Sequence, residues 1–152
     1  MGCIQGKSAK NNRDNPSVFI PKIYSSYVIK VYDGDTITIS ANLSRCSNTY
    51  YKFSVRFRGI DTPEMKSHSE DEKTAAHIAK IALSDKILHK YVYLKDIKYD
   101  KYGRLLADVY YKGTCMNQWM LDNRYGVAYD GGTKHIPSSW LDYQKKKPDS
   151  RI

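Results

Sequence analysis

The stretch Tyr27-Val28-Ile29-Lys30-Val31-Tyr32-Asp33-Gly34-Asp35-Thr36-Ile37-Thr38-Ile39-Ser40 repeats with a period of two on both sides of an Asp-Gly pair. Tyr27, Ile29 and Val31 alternate with Val28, Lys30 and Tyr32, and Ile37 and Ile39 alternate with Thr36, Thr38 and Ser40. This pattern predicts two strands joined by a turn at Asp33-Gly34. Outward from it, residues 41–49, with Asn42, Ser44, Ser47 and Asn48, read as a polar loop. Tyr51, Phe53, Val55 and Phe57 then alternate with Lys52, Ser54, Arg56 and Arg58 in a third strand, which places Arg56 on the face opposite the aromatic row.

A helix is expected next. Ser69 and Glu72 have capping-box spacing, and Ala75, Ile78, Ala79, Ala82 and Leu83 recur at helical intervals, leaving Lys73, His77 and Lys80 outside. Two further strands are expected at Tyr91 to Leu94 and Leu105 to Tyr110, with a charged, turn-rich tract from Lys95 to Gly103 between them. A second helix is expected from Met116 to Arg124, and a short third one starting at Ser138 or Ser139. Three strands, a helix and two strands follow the order of an OB-fold, a five-stranded barrel that often binds nucleic acid or sugar on one face. The expected class is therefore mainly β with α (α+β), a five-stranded OB-fold β-barrel with about three helices.

At 152 residues the chain suits one domain with a real core. The domain is expected at residues 23–146, after a polar, proline-broken leader (1–22) and before a frayed tail (147–152). With 25 Lys+Arg against 16 Asp+Glu, the net charge of +9 favours polyanionic partners, either nucleic acid or anionic membrane. Three cysteines, Cys3, Cys46 and Cys115, with no C-x-x-C suggest neither a disulfide framework nor a zinc site. No run of 18 apolar residues and no early h-region are present, so an intracellular protein is expected.

The start, Met1-Gly2-Cys3-Ile4-Gln5-Gly6-Lys7-Ser8, resembles the doubly acylated N-termini of Src-type kinases. That resemblance implies myristoylation of Gly2 and palmitoylation of Cys3. Gly6 stands where the motif has Ser or Thr, while Lys7, Lys10 and Arg13 supply the basic companions of such anchors. The expected location is then the cytoplasmic face of a membrane.

Three charged tracts remain: Asp33-Gly34-Asp35-Thr36, Arg56 to Glu64 with Asp61-Thr62-Pro63-Glu64, and Asp100-Lys101-Tyr102-Gly103-Arg104. Carboxylates gathered in short turns repel one another unless a cation lies among them. Arginines beside them match phosphate through a planar fork of donors. The first tract is not an EF-hand loop, because Ser44 occupies the twelfth position where a Glu is needed. Standing alone, it reads equally well as a hairpin turn.

Together the three tracts resemble the staphylococcal nuclease (thermonuclease-like) family, from about Tyr27 to Trp140. The resemblance implies an OB-fold barrel with three helices and calcium-dependent hydrolysis of DNA and RNA that leaves 3′-phosphate ends. By motif position it implies Asp35 and Asp61 as calcium-ligating carboxylates and Thr62 as a backbone-carbonyl ligand, with Asp33 and Glu64 reaching the ion through water. It further implies Arg56 and Arg104 as catalytic arginines, Glu64 as the residue that orients or deprotonates the attacking water, and Lys101, Tyr102 and Tyr129 as substrate contacts. Single-stranded or unpaired nucleic acid is the expected partner, and a monomer the expected state. The chain departs from the pattern at Gly131, where the secreted bacterial enzyme has a second tyrosine. The competing readings are a catalytically inactive OB-fold nucleic-acid-binding module, or a membrane-surface module. His68, His77, His89 and His135 show no ligand spacing and read as surface or packing residues.

Overall fold

A computed structural model describes residues 16–146. Gly2 and Cys3, most of the expected leader and the expected tail lie outside the described residues. The first three strands are β1 (Ser25–Val31), β2 (Thr36–Asn42) and β3 (Tyr50–Phe57), all antiparallel neighbours in the order β3-β2-β1. A short β4 (Ile60–Asp61) precedes the helix α1 (Glu70–Ile87). Strands β5 (Tyr91–Tyr99) and β6 (Leu105–Tyr111) continue the sheet from β1. Parallel pairing of β6 with β3, through Val55–Leu105 and Phe57–Ala107, closes five strands into the OB-fold barrel. Closure leaves no free edge among those five strands and fills the interior with Val28, Ile37, Ile39, Val55, Phe57, Leu105 and Val109.

The remaining elements are β7 (Thr114–Cys115), α2 (Met116–Asp122), β8 (Val127–Ala128) and α3 (Trp140–Lys145). Helix α1 buries Ala75, Ala76, Ala79, Leu83 and Ile87. Helix α3 is tied to α1 by Asp71, whose carboxylate accepts from Ser139 Oγ and from the Trp140 N–H, both at 2.8 Å. Among the described residues no helix is long and apolar enough to cross a membrane.

Several local expectations are corrected. A bulge between Val28 and Lys30 breaks the alternation of β1, so Val28 and Val31 are buried while Ile29 is exposed. Strand β5 runs on to Tyr99, through a bulge between Lys95 and Lys98 where Asp96 takes φ +52°; pairing with β6 overrides the charged composition of that tract. Ile78 faces solvent, because the buried stripe of α1 passes through Ala76 instead, and Lys73 and Lys80 are half-buried. Only half of the capping box forms. Ser69 Oγ accepts from the Glu72 N–H, but the Glu72 carboxylate is diverted to Ser67 Oγ and to the Glu64 N–H. Helix α2 stops at Asp122, since Arg124 at φ +55° cannot continue a right-handed helix.

Asn117 joins α2 to the barrel. Its Oδ1 accepts from the Val109 N–H at 2.9 Å, and its Nδ2 donates to the Arg58 carbonyl at 2.8 Å and the Ala107 carbonyl at 3.2 Å. Asn117→Ala removes the amide partner of the Val109 N–H and of the Arg58 carbonyl, while the Ala107 carbonyl keeps the Arg58 N–H at 3.0 Å. We expect the change to cost about 2–4 kcal/mol of stability, read from the urea-unfolding midpoint. An unchanged midpoint would show that water replaces the amide at no cost.

Candidate active site

One cleft of about 640 Å³ opens where the β1–β2 turn, the end of β3, the β4 segment and the β5–β6 turn meet. Asp33, Asp35, Arg56, Asp61, Thr62, Glu64, Lys101, Tyr102, Arg104 and Tyr129 all line it. Residues separated by up to 96 positions in sequence are thus brought to one place by barrel closure.

Arg56 is at the centre. Its cross-strand neighbour is Thr36, so the β2–β3 register delivers the guanidinium beside the preceding residue, Asp35. Nη1 bonds Asp35 Oδ1, and Nη2 bonds both Asp61 Oδ1 and the Ile60 carbonyl at 3.2 Å. Burial opposes a charge on Arg56, but Asp35 and then Asp61 outweigh it and hold its pKa above the ordinary value. Asp35 is 3% exposed and its carboxylate also accepts from Thr36 Oγ1 at 3.0 Å and the Thr62 N–H at 3.2 Å.

Two glycines let these turns meet. A Cβ on Gly34 would come within 3.0 Å of the Thr62 side chain and 3.1 Å of Ala79, and one on Gly126 would lie 2.8 Å from the Asp61 carbonyl. Thr62 therefore packs between two bare backbone segments. Asp61 is further held by pairing of β4 with β8, Ile60 opposite Ala128 and Asp61 opposite Val127.

Asp33 lies at the edge of this cluster, its Oδ1 accepting from the Asp35 N–H at 3.1 Å. Burial, reinforced by the neighbouring Asp35 charge, raises its pKa from 3.8 to about 6. Because the folded value lies above the ordinary one, its contribution to stability is full below about pH 3.8 and lost as the pH rises through about 6. Asp33→Asn keeps the accepting oxygen and removes the charge. In chelator, we expect it to stabilise the protein by about 1–2 kcal/mol at pH 8, allowing for the partial exposure of the side chain, and hardly at all at pH 4. Urea unfolding at the two pH values checks this, and equal effects at both would contradict it.

Glu64 is exposed at the rim, its N–H held by Glu72 Oε1 at 3.0 Å. On the opposite wall Asp100 shapes the β5–β6 turn. Its carboxylate accepts from the Tyr102 and Arg104 N–H groups at 2.8 and 2.9 Å and from Arg104 Nε at 2.7 Å. Burial works against the Asp100 charge, but these donors hold its pKa below the ordinary value. Asp100 thus orients Arg104 and holds the turn. The Lys101 ammonium and the Arg104 guanidinium lie 5.1 and 5.5 Å from the Tyr102 ring, and Tyr102 is 71% exposed, free to meet a ligand. Tyr129 is anchored through its N–H to the Gly59 carbonyl at 2.9 Å and is half-buried on the cleft wall.

Lys134 and Arg58 also line the cleft without having been singled out from sequence. Lys134 Nζ lies 3.0 Å from Asp61 Oδ1, 3.4 Å from Glu64 Oε1 and 5.9 Å from the Tyr129 ring centre. Burial opposes its charge, yet Asp61 and Glu64 raise its pKa. It sits in a glycine-bearing loop, Asp130 to Lys134, where no short-range pattern marks it. Arg58 donates from Nε and Nη2 to Asp108, at 3.1 and 2.5 Å. The four histidines are all exposed.

Among the described residues no group of three or more His, Cys, Asp or Glu side chains forms a metal cage. The buried donors in the cleft are instead the pair Asp35 and Asp61, balanced by Arg56 and, at Asp61, by Lys134. Such a site combines a sparse set of hard oxygen donors with fixed cations. It can hold a hard ion loosely and an anionic phosphate beside it.

Residues 54–144 match the family model described as Staphylococcal nuclease homologue. The chain is 30% identical over 136 residues to Endonuclease YncB of Bacillus subtilis, covering 84% of the chain and 60% of that protein. It is 32% identical over 105 residues to a probable endonuclease of Schizosaccharomyces pombe, covering 59% of the chain and 46% of that protein. It is 30% identical over 128 residues to the SPbeta prophage-derived endonuclease YokF of Bacillus subtilis, covering 79% of the chain and 40% of that protein. The chain therefore spans 40% to 60% of the length of these relatives. Its barrel and the family match across most of the domain lead to one conclusion: the chain belongs to the staphylococcal nuclease family.

Proposed function

We propose that the chain is a calcium-dependent nuclease that hydrolyses phosphodiester bonds of DNA and RNA and leaves 3′-phosphate ends. The observation that supports this most is the convergence of Arg56, Arg104, Asp35, Asp61 and Glu64 on one cleft. The names of the relatives, all endonucleases, support it as well. The donor set suits calcium, because both buried charged donors, Asp35 and Asp61, are hard carboxylate oxygens. Asp35, Asp61 and the Thr62 carbonyl would hold the ion, with Asp33 and Glu64 reaching it through water. When bound, calcium supplies Lewis-acid polarisation of the phosphate and of a coordinated water.

The chain's own residues do the rest. Arg104, oriented by Asp100, and Arg56 present donors to the phosphoryl oxygens as these gain charge in the transition state. Glu64 orients the attacking water and takes its proton. Lys101, Tyr102 and Tyr129 hold the flanking nucleotide by charge and stacking. Lys134 neutralises Asp61 and Glu64 before substrate arrives.

The test is digestion of plasmid and single-stranded DNA and RNA with calcium or with excess chelator. We expect cleavage only with calcium, and ends that a polymerase extends only after phosphatase treatment. Full activity in chelator would remove the metal role. Binding without cleavage in calcium would favour the inactive nucleic-acid-binding module. For location, we propose acylation of Gly2 and Cys3 and attachment to the cytoplasmic face of a membrane. Intact-mass measurement after expression in an acylating host checks this, and a free Gly2 amine would remove it.

A further inference from the structure

The outer face of the β5–β6 ribbon is built from side chains that rarely share an exposed surface. Tyr91 and Tyr93 are 65% and 61% exposed, and Tyr110 stands directly across from Tyr93. Lys95 Nζ lies 4.6 Å from the Tyr110 ring centre, and Lys112 closes the far end of the ribbon. These residues line a shallow depression of about 580 Å³ that has no acidic residue in its lining. The depression shares no lining residue with the cleft but lies on the same strand pair. Outward-facing positions of β6 run from Leu106, which lines the cleft, through Asp108 to Tyr110, a span of about 13 Å at the usual strand rise. The two carboxylates near this path, Asp108 and Asp96, are both bonded by Arg58, which itself lines the cleft. Arg58 offsets one of these two negative charges, and Lys95 and Lys112 leave the path net positive, with the Tyr91 and Tyr93 rings exposed along it.

We infer, resting on the nucleic-acid substrate proposed above, that this face is an extension of the substrate site. It takes the single-stranded nucleic acid flanking the scissile nucleotide. Tyr91 and Tyr93 stack on its bases, and Lys95 and Lys112 meet its phosphates. Exposed tyrosines suit any unpaired base, because every base has a π-face, whereas a duplex hides its bases and leaves these rings unused. The lysines of an acid-free lining, on the same strand pair as the cleft, favour nucleic acid over a protein partner for this surface.

The test compares Tyr91→Ala/Tyr93→Ala with the unaltered protein on a dinucleotide and on a 16-nucleotide single strand, with calcium. We expect kcat/KM on the 16-mer to fall at least about 25-fold, mainly through KM, with dinucleotide cleavage unchanged, since each of the two stacked bases contributes a factor of about 5 or more. A second variant, Lys95→Glu/Lys112→Glu, is expected to behave alike and to flatten the salt dependence of binding. Thermal unfolding verifies that both variants fold. Fluorescence anisotropy of the labelled 16-mer in chelator separates this site from the catalytic reading: weakened binding by both variants supports it even if no cleavage occurs. Unchanged binding and cleavage of the 16-mer in both variants would overturn it and leave a protein partner as the occupant of this face.

Discussion

Arg56→Lys is expected to lower turnover by roughly 100- to 1,000-fold while changing the affinity for a short oligonucleotide only a few-fold. Lysine keeps one positive charge and so keeps most of the attraction to a ground-state phosphate. It cannot offer parallel donors from a fixed plane to oxygens that gain charge in the transition state, and only such interactions raise kcat. The structure adds a second effect. Arg56 uses one terminal nitrogen for Asp35 and the other for Asp61 and the Ile60 carbonyl, so the guanidinium also joins the two turns of the cleft. A lysine reaches one carboxylate at a time and leaves the other buried without its fork partner. Thermal unfolding therefore has to accompany the kinetics. A turnover loss that persists at saturating calcium, in a protein still folded at the assay temperature, supports the transition-state role. Near-normal turnover, or rescue by added calcium, would show that Arg56 serves only to hold the carboxylates.

Asp35→Ala is expected to act on the metal and on the fold together. Asp35 is 3% exposed and its carboxylate serves Arg56, Thr36 Oγ1 and the Thr62 N–H at once. Its removal takes one of two carboxylates from a partly buried guanidinium, which keeps Asp61 and the Ile60 carbonyl, and leaves the buried Thr62 N–H without its acceptor, a loss on the order of 2–4 kcal/mol. It also takes away one of the two buried carboxylates, so the calcium concentration for half-maximal activity should rise at least about tenfold. Asp35→Asn keeps the oxygen that accepts from Thr62 and should recover part of the stability without recovering calcium affinity. Calorimetric calcium titration and denaturant unfolding of the two variants separate these contributions. If both variants bound calcium as tightly as the unaltered protein, Asp35 would not be a ligand.

The cations already present divide the carboxylates of the cleft between them. Lys134 contacts Asp61 and Glu64 but not Asp35, whereas Arg56 contacts Asp35 and Asp61. The carboxylates therefore do not stand unpaired while the cleft is empty of substrate. Any ion entering the cleft must compete with Arg56 and Lys134, which fits a loosely held metal better than a permanently bound one.

The sequence by itself determined the barrel strands, the first helix and the residues of the cleft that lie in short charged turns. Period-two alternation marks a strand wherever one face is buried, and Asp33-Gly34, Asp61 to Glu64 and Asp100 to Arg104 announce themselves by placing charge where a strand ends. Four features were decided only by tertiary structure. The bulges at Val28–Lys30 and Lys95–Lys98 answer to the twist and closure of the barrel, which local composition does not encode. Glu72 stands at the capping-box position but holds the Glu64 loop, because a nearby N–H and the Ser67 hydroxyl compete for its carboxylate. Asp100, which the sequence places in the third charged tract without a role, is spent on the Arg104 turn. Lys134 enters the cleft from a loop 70 residues after Glu64, and a contact across that separation exists only once the barrel has closed and β8 has paired with β4. Short-range patterns record what neighbouring residues can do to one another, whereas the charge balance of a buried site is set by whichever distant side chains the fold brings within a few ångströms.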